Sequence, residues 1–328
     1  MSGWSGSRVL VTGAGGFIGS HLCERLVELG ADVRPFCEYN SLGSWGWLDE
    51  SPRRSELDVV LGDIRDADSI EGATAGVDVV FHLAALIAIP FSYEAPVAYL
   101  QTNAIGTANV LRAARRAECR SIVHTSTSEV YGTARYVPID EAHPLQAQSP
   151  YAASKVAADK VAESFHLSFG VPVATLRPFN TYGPRQSARA VIPTILTQLL
   201  AGDRVALGNT TPTRDFTFVT DTVEAFVRIA DCAAAVGRVV NAGSSQEISI
   251  GALVDRIEDL LGRQAPLERE PERVRPEASE VERLCADASL ARELFGWEPR
   301  VSLDEGLAAT TDWIRENLDR YRVGAYTV

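Results

Sequence analysis

Arg8-Val-Leu-Val-Thr12 runs directly into Gly13-Ala-Gly-Gly-Phe-Ile-Gly19, and apolar residues then recur at Leu22, Leu26 and Leu29. The first run is short and apolar, as a buried strand is, and the spacing after Gly19 is helical. Strand, glycine-rich turn and helix together are the context in which glycines build a dinucleotide site. Gly13 suits the tight turn, Gly16 lets backbone N–H groups approach a pyrophosphate, and Gly19 allows close helix–strand packing. Phe17 and Ile18 open the helix whose N-terminus would face that anion. The alternative is a plain β-turn-α connection with incidental glycines.

Working outward, strand-like runs at Arg8–Thr12, Asp32–Phe36, Leu57–Leu61, Val77–Leu83, Ser121–Ser126 and Pro172–Arg177 alternate with helical patterns near Gly16–Leu29, Ala95–Ala117 and Pro150–Phe169. That alternation predicts an α/β fold, a Rossmann-type doubly wound parallel sheet with helices on both faces. Ligands then bind at the carboxyl ends of the strands. Beyond residue 178 the pattern loosens. Helices are expected over Val191–Leu200, Asp221–Ala234, Ile250–Leu261 and Ser302–Tyr321, a short strand over Thr213–Val219, and a last strand over Arg238–Ala242 that returns to the sheet. Arg263–Glu282 is charged and proline-punctuated, and reads as a solvated loop or as a clamp on a ligand. Residues 1–178, 214–243 and roughly 285–295 are assigned to a cofactor lobe, and 179–213, 244–284 and 296–328 to a smaller C-terminal α/β substrate domain.

The chain has 328 residues, 46% of them hydrophobic, with no apolar run long enough to span a bilayer, so a soluble globular protein without membrane attachment is expected. The first seven residues lack the apolar core of a signal peptide, and the five cysteines are odd in number and widely spaced. Both features suit a cytoplasmic protein with reduced thiols. The five histidines form no ligand pair, and no metal site is expected. A net charge of −12 argues against a nucleic-acid surface but not against a small anion, which needs only local arginines and helix N-termini.

Two later segments carry chemistry: Thr125-Ser-Thr-Ser-Glu-Val-Tyr-Gly132 and Tyr151-Ala-Ala-Ser-Lys155. Four-residue spacing puts the Tyr151 phenol and the Lys155 ammonium on one helix face. The ammonium is expected to lower the phenol's pKa toward working pH, so that Tyr151 can take a proton from a substrate hydroxyl as hydride leaves the carbon beneath it. Thr127 adds a hydroxyl and Glu129 a carboxylate able to remove a second proton; capping the next turn or pairing with an arginine is the plainer role for Glu129.

The ordered set of these motifs resembles the extended short-chain dehydrogenase/reductase superfamily, and within it the NAD-dependent nucleotide-sugar epimerases, dehydratases and decarboxylases. The resemblance also includes Gly62-Asp63-Ile64, His82-Leu-Ala-Ala85, Thr102-Asn103, Arg177-Pro-Phe-Asn-Thr-Tyr-Gly-Pro-Arg185, Arg214-Asp-Phe-Thr-Phe-Val219, Arg275-Pro276 and Gly296-Trp-Glu-Pro299. Ser126–Thr133 and Arg185–Pro193 are most similar to the 4,6-dehydratases resembling those of legionaminic acid biosynthesis. The resemblance implies NAD as cofactor, with Asp63 and Ile64 at the adenine, Leu83, Ala84 and Ala85 at the nicotinamide, and Asn103, Tyr151 and Lys155 also in the cofactor site. The family's acidic residue for the ribose falls here on Cys37, a departure, and the neighbouring Glu38 is the candidate to replace it. Asn180, Arg185, Arg214 and Arg275 match positions that touch a nucleotide-diphosphate sugar. Thr127, Ser128, Glu129, Tyr151 and Lys155 match the catalytic positions, with Ser128 where many dehydratases carry Asp. The implied reaction is 4,6-dehydration, with uronic acid decarboxylation or 4-epimerisation as alternatives, by a homodimer paired through Ala95–Ala117 and Pro150–Phe169. A non-catalytic NAD-sensing regulator would have no need for the full Thr127/Tyr151/Lys155 set.

Overall fold

The computed structural model describes residues 3–325. From the N-terminus, β1 (Arg8–Thr12), α1 (Phe17–Glu28), β2 (Asp32–Glu38), β3 (Val60–Gly62), α2 (Ala67–Thr74) and β4 (Val79–His82) form the first half of the main sheet. Next come α3 (Ile89–Glu94), α4 (Pro96–Tyr99) and α5 (Gly106–Arg116), the last two joined by a π-helical stretch, Leu100–Ile105. Then follow β5 (Ser121–Thr125), α6 (Pro150–Phe169), β6 (Val173–Pro178), β7 (Asn180–Tyr182), α7 (Val191–Ala201), β8 (Val205–Leu207), β9 (Thr213–Phe218), α8 (Val219–Ala230) and β10 (Val239–Ala242). The chain ends with β11 (Glu247–Ser249), α9 (Ile250–Leu261), β12 (Leu267–Arg269), α10 (Ser289–Phe295) and α11 (Leu303–Glu316).

Seven strands make one sheet in the order β3-β2-β1-β4-β5-β6-β10, every pairing parallel. This is the doubly wound Rossmann-type sheet expected from the alternating pattern, and Val239–Ala242 does return to it. All six residues of β6 are buried, as a strand covered on both faces must be. One face packs on α1 and α8 through Leu22, Leu26, Val223 and Phe226, the other on α2 and α5 through Ile70, Val110 and Leu111. The order in which strands are added reverses between β1 and β4, which opens a crevice at the strands' carboxyl ends. A small sheet, β7-β9-β11, and the parallel pair β8-β12 stand beyond that edge.

Local signals place the helix that carries Tyr151. Ser149 caps α6 by accepting from Ala152 N, Pro150 opens it, and Gly170 closes it in the left-handed region. Elsewhere the sequence reading needs amendment. Leu57–Leu61 is a strand only from Val60, because a 3-10 turn over Arg54–Glu56 precedes it. The closing helix stops at Glu316 rather than Tyr321, where Asn317 turns the chain into a 3-10 turn. The helix α2 went unrecognised; its signal was Asp66, whose carboxylate caps Asp68 N and Ser69 N. Arg263–Glu282 is not all loop, since β12 within it pairs with β8.

Candidate active site

The crevice begins at the glycine turn. Gly13 has φ +71°, and a Cβ there would lie 2.7 Å from Ala84 N, so the turn and the loop after β4 approach at backbone distance. At Gly19 a Cβ would lie 2.3 Å from Gly13 O, so α1 packs directly on the turn. Gly16 caps α1 in an extended conformation, and among the described residues no side chain bonds the first-turn N–H groups. An uncapped helix start beside glycines fits a diphosphate. Behind it the loop after β4 is fixed. Thr12 Oγ1 accepts from Ala84 N (3.2 Å) and lies 2.8 Å from His82 Nδ1, while His82 Nε2 lies 3.0 Å from Thr107 Oγ1. Asn103 staples the same loop: Oδ1 accepts from Leu86 N (2.8 Å), and Nδ2 donates to Leu86 O and Ser154 Oγ (2.9 Å each). The structure thus places Asn103 as the support for Leu83–Ala85.

At the far end of the crevice Cys37 is buried, and burial pushes its thiol up to about 11, so it does not supply the family's negative charge. Glu38 is exposed at the end of β2. Asp63 is ion-paired to Arg65 (2.5 Å), which holds its carboxyl below the ordinary range, and Ile64 is buried in the core behind it.

The catalytic candidates converge. Thr127 starts the 3-10 turn Ser128–Tyr131 beyond β5, its Oγ1 accepting from Glu129 N, and it also hydrogen-bonds the Tyr151 phenol. Ser128, Glu129, Tyr151 and Lys155 are all buried. Glu129 is within electrostatic reach of both the Tyr151 phenol and the Arg214 guanidinium. One expectation is corrected. The Tyr151 phenol is held well above its ordinary pKa, because burial outweighs the bond from Thr127. Lys155 does not bond to the phenol; its Nζ donates to Thr125 O (2.6 Å), and burial lowers it to about 8 against the pull of Asp159. In this dry pocket desolvation decides, and the sequence spacing alone did not show it.

The third group lies on the small sheet and the loop before α10. Arg214 is buried and donates to Val281 O (2.7 Å). Arg214 Nη2 and Arg275 Nη1 lie 3.5 Å and 3.6 Å from Glu280 Oε1, and Asn209 Nδ2 donates to Glu280 Oε2. Arg275 Nη1 and Asn180 Oδ1 are buried with no hydrogen-bond partner among the described residues. Such groups are open to a ligand. Arg185 is not with them. Its guanidinium forks onto Glu24 of α1 (3.0 and 3.1 Å) and reaches Ser20 Oγ, a bidentate pair that fixes it on the cofactor side. Glu280, not singled out from the sequence, lies inside the charged segment that reads as a solvated loop or as a clamp on a ligand. Sequence reading also overlooked Asp215, whose carboxylate accepts from Ser244 N, Ser245 N and Ala286 N and so ties together the loops behind Arg214. Among the described residues no group of three or more His, Cys, Asp or Glu is placed to hold a metal, and no helix is long and apolar enough to cross a membrane.

A glycine-turn cofactor crevice that meets a Tyr/Lys pair and an arginine cluster is matched by the GDP-mannose 4,6 dehydratase family model over residues 10–310. The chain belongs to this family of nucleotide-sugar dehydratases and epimerases within the extended short-chain dehydrogenases/reductases. It is 38% identical to a UDP-glucose 4-epimerase of Mycolicibacterium smegmatis, over 94% of this chain and 98% of that one. It is 33% identical to a dTDP-glucose 4,6-dehydratase of Streptomyces antibioticus, over 94% and 92%. A dTDP-glucose 4,6-dehydratase of Streptomyces venezuelae, solved with NAD and TYD bound, superposes with a TM-score of 0.89 at 31% identity, covering 96% of this chain and 99% of that one. The family's members act on nucleotide sugars, so the chain is a nucleotide-sugar dehydratase/epimerase.

Proposed function

We propose that this protein is an NAD-dependent nucleotide-sugar 4,6-dehydratase. The observation that carries the reading is Glu129, a buried carboxylate within electrostatic reach of both the Tyr151 phenol and Arg214. A 4-epimerase has no need of a second base there. NAD, held by the start of α1 and the loop Leu83–Ala85, with Glu38 set against a 2′-phosphate, supplies hydride acceptance and return. Tyr151 takes the proton of the carbon 4 hydroxyl as the phenolate, a form that burial alone disfavours and that the positive charge of bound NAD and of Lys155 would favour. Lys155 supplies positive charge beside it. The resulting ketone acidifies the carbon 5 hydrogen, which Glu129 removes and passes to the departing carbon 6 hydroxyl, hydrogen-bonded by Ser128, so that water leaves; as hydride returns to carbon 6, carbon 5 takes up one proton and Tyr151 gives up the one it held. Arg214, Arg275 and Asn180 hold the nucleotide diphosphate and orient the sugar; Arg's planar fork suits phosphate oxygens.

Glu129→Gln tests this. The variant should still oxidise carbon 4, so reduced nicotinamide appears once per site and persists, while no product lighter by one water forms. Near-normal turnover would sink the dehydratase. A second reading, 4-epimerase or uronic acid decarboxylase, is favoured by Ser128, a poor acid where many dehydratases carry Asp, and by the greater identity to the M. smegmatis epimerase than to the S. antibioticus dehydratase. Product masses from a panel of nucleotide hexoses and uronic acids separate the three.

The active form is read as a homodimer. Val97, Leu100 and Ile105 are 63%, 45% and 57% exposed along the helical stretch that was expected to pair, a row of apolar side chains that a second copy would cover. Sedimentation at micromolar concentration should give twice the chain mass; a monomer alone rejects it.

A further inference from the structure

Beneath the catalytic residues lies a buried ionic cluster centred on Asp159, a residue with no part in the chemistry above. Asp159 sits one turn after Lys155 on α6 and is 5% exposed. Its Oδ1 lies 3.1 Å from His124 Nε2. Its Oδ2 accepts from Ser126 Oγ (2.8 Å) and from Arg177 Nη2 (2.8 Å) and Nε (3.3 Å). One carboxylate therefore binds β5, the residue following β5, and β6 to the catalytic helix. The cluster continues through Arg177. Its Nη1 donates to Tyr131 OH (2.9 Å), and that hydroxyl donates to Asn241 Oδ1 on β10 (2.8 Å). Tyr131 is the last residue of the 3-10 turn that carries Ser128 and Glu129.

We propose that Asp159 is a positioning residue: it keeps Lys155 charged and, with Arg177, holds the Glu129-bearing turn in register with Tyr151. The inference rests on the roles given to those residues above. Charge is the first half of it. The titratable groups in electrostatic reach of Lys155 are Asp159 on α6, His82 on β4 and His124 on β5, with Arg177 on β6 beyond, paired to Asp159. Both histidines are pushed below their ordinary pKa by burial, so neither brings a charge at neutral pH. Among these described groups Asp159 alone offers Lys155 a negative charge. Register is the second half. The route Asp159–Arg177–Tyr131 is an unbroken chain of buried hydrogen bonds from the helix of Tyr151 to the turn of Glu129. A buried ion pair is weak evidence for stability but a good device for fixing geometry.

Lysine occurs only twice in the chain, at 155 and 160, so Lys155 can be titrated directly. In Lys160→Arg protein labelled with 13C-lysine and saturated with NAD, one ε-carbon signal remains. Asp159→Asn should lower its midpoint by about one pH unit or more, because the charge that raises it is gone. An unchanged midpoint overturns the first half whatever the enzyme's substrate is. Tyr131→Phe conserves shape, is expected to fold, and removes both bonds of that hydroxyl, from Arg177 and to Asn241, while leaving Asp159 on Arg177 and His124. It should leave the Lys155 midpoint and nicotinamide reduction unchanged while slowing carbon 5 proton exchange about 10-fold. Equal exchange in Tyr131→Phe and wild type overturns the second half. A wild type that reduces nicotinamide with no nucleotide sugar refutes the functional reading instead, and the lysine titration still decides the charge claim.

Discussion

The hydride end and the diphosphate end of the crevice are built in opposite ways. Around Lys155 the ionised groups are already partnered: Lys155 bonds Thr125 O, and Asp159, Arg177, Tyr131 and Asn241 form one chain, while of the neutral groups there His124 Nδ1 and Thr125 Oγ1 are left unbonded among the described residues. Around Arg275 the set is left open, with Arg275 Nη1 and Asn180 Oδ1 buried and unbonded among the described residues, and Glu280 shared loosely by two arginines. Proton and hydride transfer need geometry fixed before the substrate arrives. Capture of a diphosphate needs donors that the ligand itself completes. The contrast therefore separates residues expected to govern turnover from residues expected to govern affinity.

Removing the phenol should break the closed end most. Tyr151→Phe is expected to lower kcat by at least ~100-fold with NAD still bound, checked by steady-state rates and bound-nucleotide content. Retention of more than about a tenth of wild-type activity would take Tyr151 out of the proton-transfer role.

The same closed end should give a pH signature in stability. Asp159 is held down to about 2 by its hydrogen bond from His124 and by nearby positive charge, with burial opposing. A carboxyl with a depressed native pKa stabilises fully above its unfolded value, 3.8, and that share is lost as pH falls toward 2. Lys155 has the opposite sign: lowered to about 8 from 10.5, it weakens the fold while both states are protonated, and the penalty is relieved as pH rises from 8 toward 10.5. Acid melting curves should show the loss, and Asp159→Asn should flatten this part of the dependence. An identical acid limb in the variant would mean that other carboxylates set it.

The open end should respond in affinity. Arg275→Ala should raise KM for the nucleotide sugar about 10-fold while kcat changes little, the mark of an interaction made equally in ground and transition states. Asn180→Ala should do the same more weakly, by about 3-fold. A fall in kcat equal to the fall in kcat/KM in either variant would erase the distinction between the two ends.

Local sequence determined the elements that hold the cofactor and the catalytic pair. A strand, a glycine turn and a helix start are short-range events, and Ser149, Pro150 and Gly170 mark both ends of α6 without help from elsewhere. The parallel sheet followed from the alternation of periods. What local sequence left open was every question of electrostatics across segments. Four-residue spacing put Lys155 on the face of Tyr151, yet its ammonium bonds a carbonyl from β5, because the dry pocket decides where a buried charge goes. Arg185 stood in a substrate-like motif, but a glutamate 161 residues away on α1 captured it. Glu280 lies in a charged stretch that reads equally as a solvated loop or as a clamp on a ligand, and only the packing of that stretch against Arg214 and Asn209 buries it. Helix starts and turns depend on neighbours in the chain, so sequence shows them; pKa values and ion pairs depend on which distant groups share a low-dielectric space, and that is decided by the tertiary structure alone.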